Sequence, residues 1–238
     1  MSLPLRVERR EEASPGLKLS VLVLSLAAGL VVSGLVFLVR GVNPFFALWR
    51  ILRGSFGSLY GLSETLAKTI PLVLVGSGLT LAFRARFWNI GAESQLLLGA
   101  IFATWIGLRW GPHLPAAVLL PAMFLAGFVG GALWGLLPAL LKVRFGVNEV
   151  ISTLMLNYTA AELLTLLVVG PWKGATQQGF PYTDDLAGAA VLSLIPGTRI
   201  HYVTLAIALL GAAVLFFLVY GTRFGYELRV IGENPEAA

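Results

Sequence analysis

The sequence predicts an all-α polytopic membrane protein with about six transmembrane helices in this chain, and three observations predict it. Hydrophobic residues make up 57% of the chain and charged residues 12%, against about 25% charged in an ordinary soluble domain. The apolar residues also fall into long runs, several of them near the ~20 residues that a helix needs to cross a hydrocarbon core. Finally, lysines and arginines stand mostly at the ends of those runs. The net charge of +5 therefore reads as membrane anchoring, not as a nucleic-acid surface.

Taken in order, residues 1–18 form a polar, mixed-charge cytoplasmic tail. Residues 19–39 carry no charge, are closed by Lys18 and Arg40, and are too long for the core of a signal peptide. They are read as a retained first span. Residues 41–68 are too polar to cross, but Phe45, Leu48, Trp49 and Leu52 recur at helical spacing, as in an amphipathic helix lying at the interface. The second span, 69–83, is short and holds Pro71, Gly76 and Gly78. That composition predicts a tilted or broken helix covered by protein or bordering a cavity.

The third span covers 90–108 and the fourth 114–141. In the fourth, Gly127, Gly131 and Gly135 make a small-residue stripe, which lets a neighbouring helix approach closely. The fifth span is 150–172, with Glu162 as its single charge. Residues 186–198 are apolar but too few to cross, so they are placed in an interfacial or re-entrant element. The sixth span is 200–222. With the N-terminus inside, ten lysines and arginines fall on the inner side and seven on the outer, which sets the orientation.

The last residues, 232–238, begin a helix and do not continue it. Asn234 suits an N-cap, Pro235 the first helical position and Glu236 the positive end of the helix dipole. The chain is accordingly expected to be cut short at the start of a further helix.

Chemistry is sparse. The absence of cysteine excludes disulfides and thiolate metal sites, and His113 and His201 cannot build a metal centre, which needs three or four protein ligands. No phosphate-binding Gly-rich motif or hydrolase signature occurs, so the chain is read as neither an enzyme nor the holder of a cofactor. What remains are polar residues inside apolar runs, where ionisable side chains are costly and mark function by default. On the fifth helix Ser152, Thr159 and Glu162 share one face, with Tyr158 a turn before Glu162, while Glu149, Thr153 and Asn157 form a second stripe at i, i+4, i+8. These stripes either line a polar pathway or hydrogen-bond to neighbouring helices. Glu93 either lines the pathway or offsets the unpaired N–H groups at a helix start. Asn89 and Gln95 flank it, so residues 89–93 read as a break and restart between the second and third spans.

Three stretches carry a resemblance. Phe83-Arg-Ala-Arg-Phe-Trp-Asn-Ile-Gly-Ala-Glu-Ser-Gln-Leu-Leu-Leu-Gly99, Gly146-Val-Asn-Glu-Val-Ile-Ser-Thr-Leu-Met-Leu-Asn-Tyr158 and Gly225-Tyr-Glu-Leu-Arg-Val-Ile-Gly-Glu-Asn-Pro-Glu-Ala-Ala238 resemble the permease subunits of bacterial ABC importers for nucleosides and simple sugars, in the branch paired with basic-membrane-protein-type binding lipoproteins. Ser94 stands where that family more often has glycine. The resemblance implies a multi-pass protein of the cell membrane, working with cytoplasmic ATP-binding subunits, a second permease subunit and an external substrate-binding lipoprotein. As polar residues in or beside apolar runs, Asn89, Glu93, Gln95, Asn157, Tyr158 and Glu162 are the candidates for the substrate pathway. The resemblance also makes Tyr226, Glu227, Arg229, Glu233, Asn234 and Glu236, in the cytoplasmic segment 223–238, candidates for contact with the ATPase. An ion-coupled transporter or channel is the alternative, and it would depend on Glu93 and Glu162 as its coupling acids.

Overall fold

A computed structural model describes residues 14–176 and 179–233. Among them every long element is a helix, and the chain divides into two compact units, Met1–Thr65 and Leu66–Ala238.

The first unit opens with α1 (Pro15–Val39). Ser14 caps it by accepting a hydrogen bond from the Leu17 amide, and Pro15 occupies the first turn, where its missing N–H costs nothing. Gly41, at φ +72°, turns the chain into α2 (Pro44–Phe56), whose cap Asn43 accepts from the amides of Phe45 and Phe46 at 3.0 and 3.3 Å. This helix is the amphipathic element that the apolar spacing predicts. Gly34 of α1 lies in van der Waals contact range of the Pro44 ring.

The second span differs from its expectation. It is not a short broken helix over 69–83 but one continuous helix, α3 (Leu59–Arg84), with Pro71 inside it. The polar residues Ser63, Glu64 and Lys68 had marked its first ten positions as interfacial, yet Ser63 is buried and its hydroxyl bonds the Tyr60 carbonyl. A serine satisfied by its own helix need not lie outside it. The helix starts where Gly61 meets the end of α2. A Cβ there would stand 2.0 Å from the Gly54 carbonyl oxygen.

The second unit holds most of α3, then α4 (Ala92–Trp110), α5 (Ala116–Phe145), α6 (Glu149–Val169), α7 (Tyr202–Gly221) and α8 (Arg223–Glu233). α4 packs most extensively on α5 and next on α6. Leu98 and Ile101 of α4 and Ala160 of α6 form a buried cluster, with Trp134 of α5 and Trp172 against it. The Trp134 indole N–H is buried there without a partner among the described residues. A second cluster joins Ile70 and Leu74 of α3 to Ile200 and Ala208 at α7.

Five helices, α1, α3, α5, α6 and α7, are long and apolar enough to cross a membrane. α4 is a sixth helix of 19 residues, made more polar by Glu93, Ser94 and Gln95 at one end and Arg109 at the other. α5 runs on to Phe145, past the expected end at 141, and stops at Gly146 in the left-handed region. Residues 186–198 form no re-entrant helix. They hold a single 3₁₀ turn, Gly188–Ala190, and one bridge from Leu194 to His201. The helix start expected at 234–236 lies outside the described residues, but α8 already follows α7 directly, which the charge pattern of 223–233 did not reveal.

Candidate functional site

The site grows from the way α3 ends. The Phe87 amide bonds back to the Ala82 carbonyl at 3.0 Å and that of Arg86 to Phe83 at 3.1 Å. This paired pattern closes a helix with a left-handed residue, usually glycine. Here Arg86 takes that position at φ +53°. From there to Gly91 the backbone is irregular, and its polar groups need partners from outside the segment.

Those partners come from one face of α6, with help from the last turn of α5. The Glu149 carboxylate accepts the Trp88 amide at 3.4 Å and the Lys142 ammonium at 2.6 Å. Lys142 also donates to the Arg86 carbonyl at 3.2 Å and sits 5.3 Å from the centre of the Phe87 ring. One turn on, Thr153 accepts the Ile90 amide at 3.3 Å. One turn further, Asn157 accepts the Ser94 amide and donates to the Ile90 carbonyl, both at 3.1 Å. The stripe Glu149, Thr153, Asn157 is thus a clip on the backbone of 88–94, and Asn157 caps α4 from another helix. Gly91 makes the approach possible, since a Cβ there would lie 2.9 Å from the Thr153 Cβ.

Inside the turn, Asn89 accepts the Gly91 amide at 3.0 Å. Its amide group then pairs reciprocally with that of Gln95, at 3.3 Å in both directions. Gln95 lies over the glycine stripe of α5. A Cβ at Gly131 would stand 3.0 Å from the Gln95 carbonyl oxygen, and one at Gly135 3.0 Å from its side-chain nitrogen. The same stripe brings Gly127 against Gly99, where a Cβ on Gly99 would meet the Gly127 carbonyl at 2.9 Å. Gln95 also contributes the one polar side chain to a cavity of about 510 Å³ lined by α3, α4, α5 and α7, among them Leu74, Met123, Phe124 and Ile207.

The structure brings Asn89, Gln95 and Asn157 together and leaves the other pathway candidates elsewhere. Glu93 is exposed in the first turn of α4, at the positive end of the dipole. Tyr158 and Glu162 are exposed on the open face of α6, where Glu162 borders a groove with Thr159, Thr165 and Leu166. Ser152 is buried while Thr159 is not, so their shared face does not share an environment.

At the same end of this unit α8 folds back from α7. Gly225 is pressed on the Leu218 and Val219 carbonyls, and Gly232 on the Arg84 carbonyl, where a Cβ would sit 2.0 Å away. Arg229 turns inward, donating to the Val219 carbonyl and lying 5.8 Å from the Tyr220 ring centre. Arg84 bonds the Tyr220 hydroxyl at 2.9 Å. Tyr226, Glu227 and Glu233 are exposed, and Asn234 and Glu236 lie outside the described residues. Lys142, Tyr220, Gly225 and Gly232 were not singled out from the sequence, because their roles depend on partners distant along the chain.

No solved structure matches the chain. Among curated proteins it is similar to a glucose ABC transporter permease protein, TsgB13, of Haloferax volcanii, at 35% identity over all of this chain and 64% of the relative. A guanosine ABC transporter permease protein, NupP, of Bacillus subtilis is 32% identical over 92% of this chain and 62% of its own length. A nucleoside ABC transporter permease protein, NupB, of Lactococcus lactis is 26% identical over 93% and 62%. The chain thus spans just under two thirds of the length of these relatives. A family profile matches residues 61–238, which hold the whole clip, the glycine stripe and α8. With three quarters of its length matched, the chain belongs to the family described as the branched-chain amino acid transport system / permease component.

Proposed function

We propose that the chain is the membrane-spanning permease subunit of an ABC importer, carrying a nucleoside or simple sugar across the cell membrane while ATP is hydrolysed on separate subunits. The observation that carries this reading is the family match across the second unit. Glucose, guanosine and nucleosides in the names of the relatives support this substrate class. Residues 19–222 are the transmembrane permease domain. Residues 1–18 and 223–238 are cytoplasmic, and the exposed side chains Tyr226, Glu227 and Glu233 are placed to meet an ATP-binding subunit. The remaining partners are a second permease subunit and an external substrate-binding lipoprotein.

Within this reading Asn89, Gln95 and Asn157 belong to the pathway in different ways. Gln95 offers its amide to the cavity, Asn89 holds that amide in place, and Asn157 fixes the turn that carries both. Glu93, Tyr158 and Glu162 serve the outer faces of the helices. Substrate moves when the ATP-binding subunits bias the permease between two states, which requires that each state bind the partner differently.

The test is to reconstitute the full-length permease with its ATP-binding subunits and binding protein in liposomes. ATP-dependent uptake of guanosine or glucose, matched by solute-stimulated ATP hydrolysis, is expected. Uptake that needs no ATP and disappears when an ion gradient is collapsed would overturn the proposal.

A further inference from the structure

A second cavity, of about 500 Å³, lies at the opposite end of the second unit from the clip, where α4 and α6 both finish. Trp105 and Arg109 of α4 line one side, Trp172 and Lys173 another, and Asp184 and Asp185 a third.

The walls are held by backbone and by small residues. Gly107 allows Leu186 and Met123 to come within 3.0 Å of where a Cβ would stand, and Gly111 admits Ala187 to 3.2 Å. The Trp172 amide bonds the Leu167 carbonyl at 2.8 Å, and the Gly174 amide bonds the Tyr182 carbonyl at 2.8 Å. Asp184 is tied to Thr176 through both its hydroxyl, at 2.7 Å, and its amide, at 3.2 Å. Trp105 is held edge-on by Trp110 at 5.4 Å. By contrast, Arg109, Lys173 and Asp185 make no side-chain hydrogen bond or ion pair among the described residues. They are exposed and border the cavity.

The chemistry is specific in kind. Two cations and two carboxylates sum to zero, so the cavity favours neither an anion nor a cation. It offers strong charge-assisted donors beside strong acceptors. Vicinal hydroxyls match that set, because each hydroxyl both donates and accepts. Indole faces add an apolar surface with a polar edge, suited to the C–H face of a sugar ring. The cavity beside Gln95 offers one amide and otherwise apolar walls, and would leave most hydroxyls of a sugar unpaired, which is costly for buried polar groups.

We propose that the cavity around Trp105, Arg109, Trp172, Lys173 and Asp185 is a receiving site for a neutral solute bearing a vicinal diol, such as a ribosyl or hexosyl ring. The proposal rests on the importer reading for its biological sense, but not for its test. The Asp185 carboxylate accepts from the diol, Arg109 and Lys173 donate to it, and the ring lies on indole.

Binding is measured directly on the purified complete permease complex without binding protein, by saturation-transfer NMR. Adenosine, 2′,3′-dideoxyadenosine and D-glucose serve as probes. Transfer to the ribose protons of adenosine is expected, with little to the dideoxy analogue. Response to D-glucose in place of adenosine would support the hexosyl source, and response to both would support the shared diol. Asp185→Asn and, as a second variant, Trp105→Leu should each weaken the diol probes about tenfold without changing the melting temperature. Equal binding of adenosine and its dideoxy analogue overturns the proposal. So does an Asp185→Asn complex that keeps its solute binding but loses the binding protein, which would make this surface a protein dock. Absence of ATP-driven uptake in the wild type would sink the importer reading and leave the NMR result to decide the cavity by itself.

Discussion

α4 is held by two seams built on opposite principles. Against α5 it uses the absence of side chains, with Gly99 on Gly127 and the Gln95 backbone on Gly131. Against α6 it uses side chains as backbone partners, through Glu149, Thr153 and Asn157. The first seam works by van der Waals contact at short range, which leaves no room for a methyl group on Gly99. The second works by hydrogen bonds to a non-helical segment, which can be exchanged for others if the segment moves. α4 is therefore expected to move with α5 as one body, while the α6 seam is the place where it can part.

Substitutions separate the two. Gly99→Val places side-chain atoms where the Gly127 carbonyl stands and should cost about 2–3 kcal/mol through overpacking. It should appear as a large loss of thermal stability in detergent, whereas Gly127→Ala, with 3.3 Å available, should lose little. If Gly99→Val melts like the wild type, the rigid-seam description is wrong.

Asn157→Leu leaves the Ser94 amide and the Ile90 carbonyl unpaired, at about 2 kcal/mol or more. Amide exchange should rise at Ser94, whose N–H loses its acceptor, and stay unchanged along α5. Asn157→Asp keeps an acceptor for Ser94 but loses the donor to Ile90, so its effect should be intermediate. Uniform loss of protection across α4 and α5 would instead show that both seams open together.

Lys142→Met removes a partly exposed ion pair and the bond to Arg86, worth about 1 kcal/mol and reduced by salt. The measurement is the melting temperature at low and high ionic strength, where the gap between variant and wild type should narrow with salt. The smallest effect belongs to the far end. Asp184 is held below the ordinary aspartate value of 3.8, first by the Thr176 hydroxyl and then by its amide. A carboxylate lowered in the folded state stabilises above its unfolded pKa and loses that contribution as pH falls through the folded one. Protection of the Thr176 amide, taken as its exchange rate relative to that of an unstructured amide at the same pH, should therefore be flat from neutral pH to about 4 and fall only below it. A fall already at pH 6 would assign the change to another group.

Much of this was legible. The glycine stripe announced a close helix contact, the three residues spaced by four announced one polar face, and Asn89–Glu93 announced a break and restart between α3 and α4. Composition and periodicity report which residues share a face, and both seams are face properties. Of the two readings left open for the stripe, pathway or interhelical bonding, the bonds of Thr153 and Asn157 to the turn show the bonding, which is compatible with a place beside the pathway. What could not be read was pairing across long separations. Lys142 meets Arg86 across 56 residues and Asn157 meets Ile90 across 67, and no local pattern encodes either. The early start of α3 was hidden because Ser63 and Glu64 look like interface until their partners are known. Arg86 took a left-handed position where the sequence offered no glycine to mark it.

The glycines of α8 have a mechanical consequence. Gly225 rests on the end of α7 and Gly232 on the end of α3, seven residues or about 10 Å apart along the helix. The first contact acts as a fulcrum and the second as the tip of a short lever, and neither has a side chain to cushion it. Force applied to the exposed side chains of α8 would arrive at the Arg84 carbonyl almost undamped, five residues before Asn89. A single methyl group at position 232 would lift the tip from its seat and alter the throw of the lever without touching either cavity.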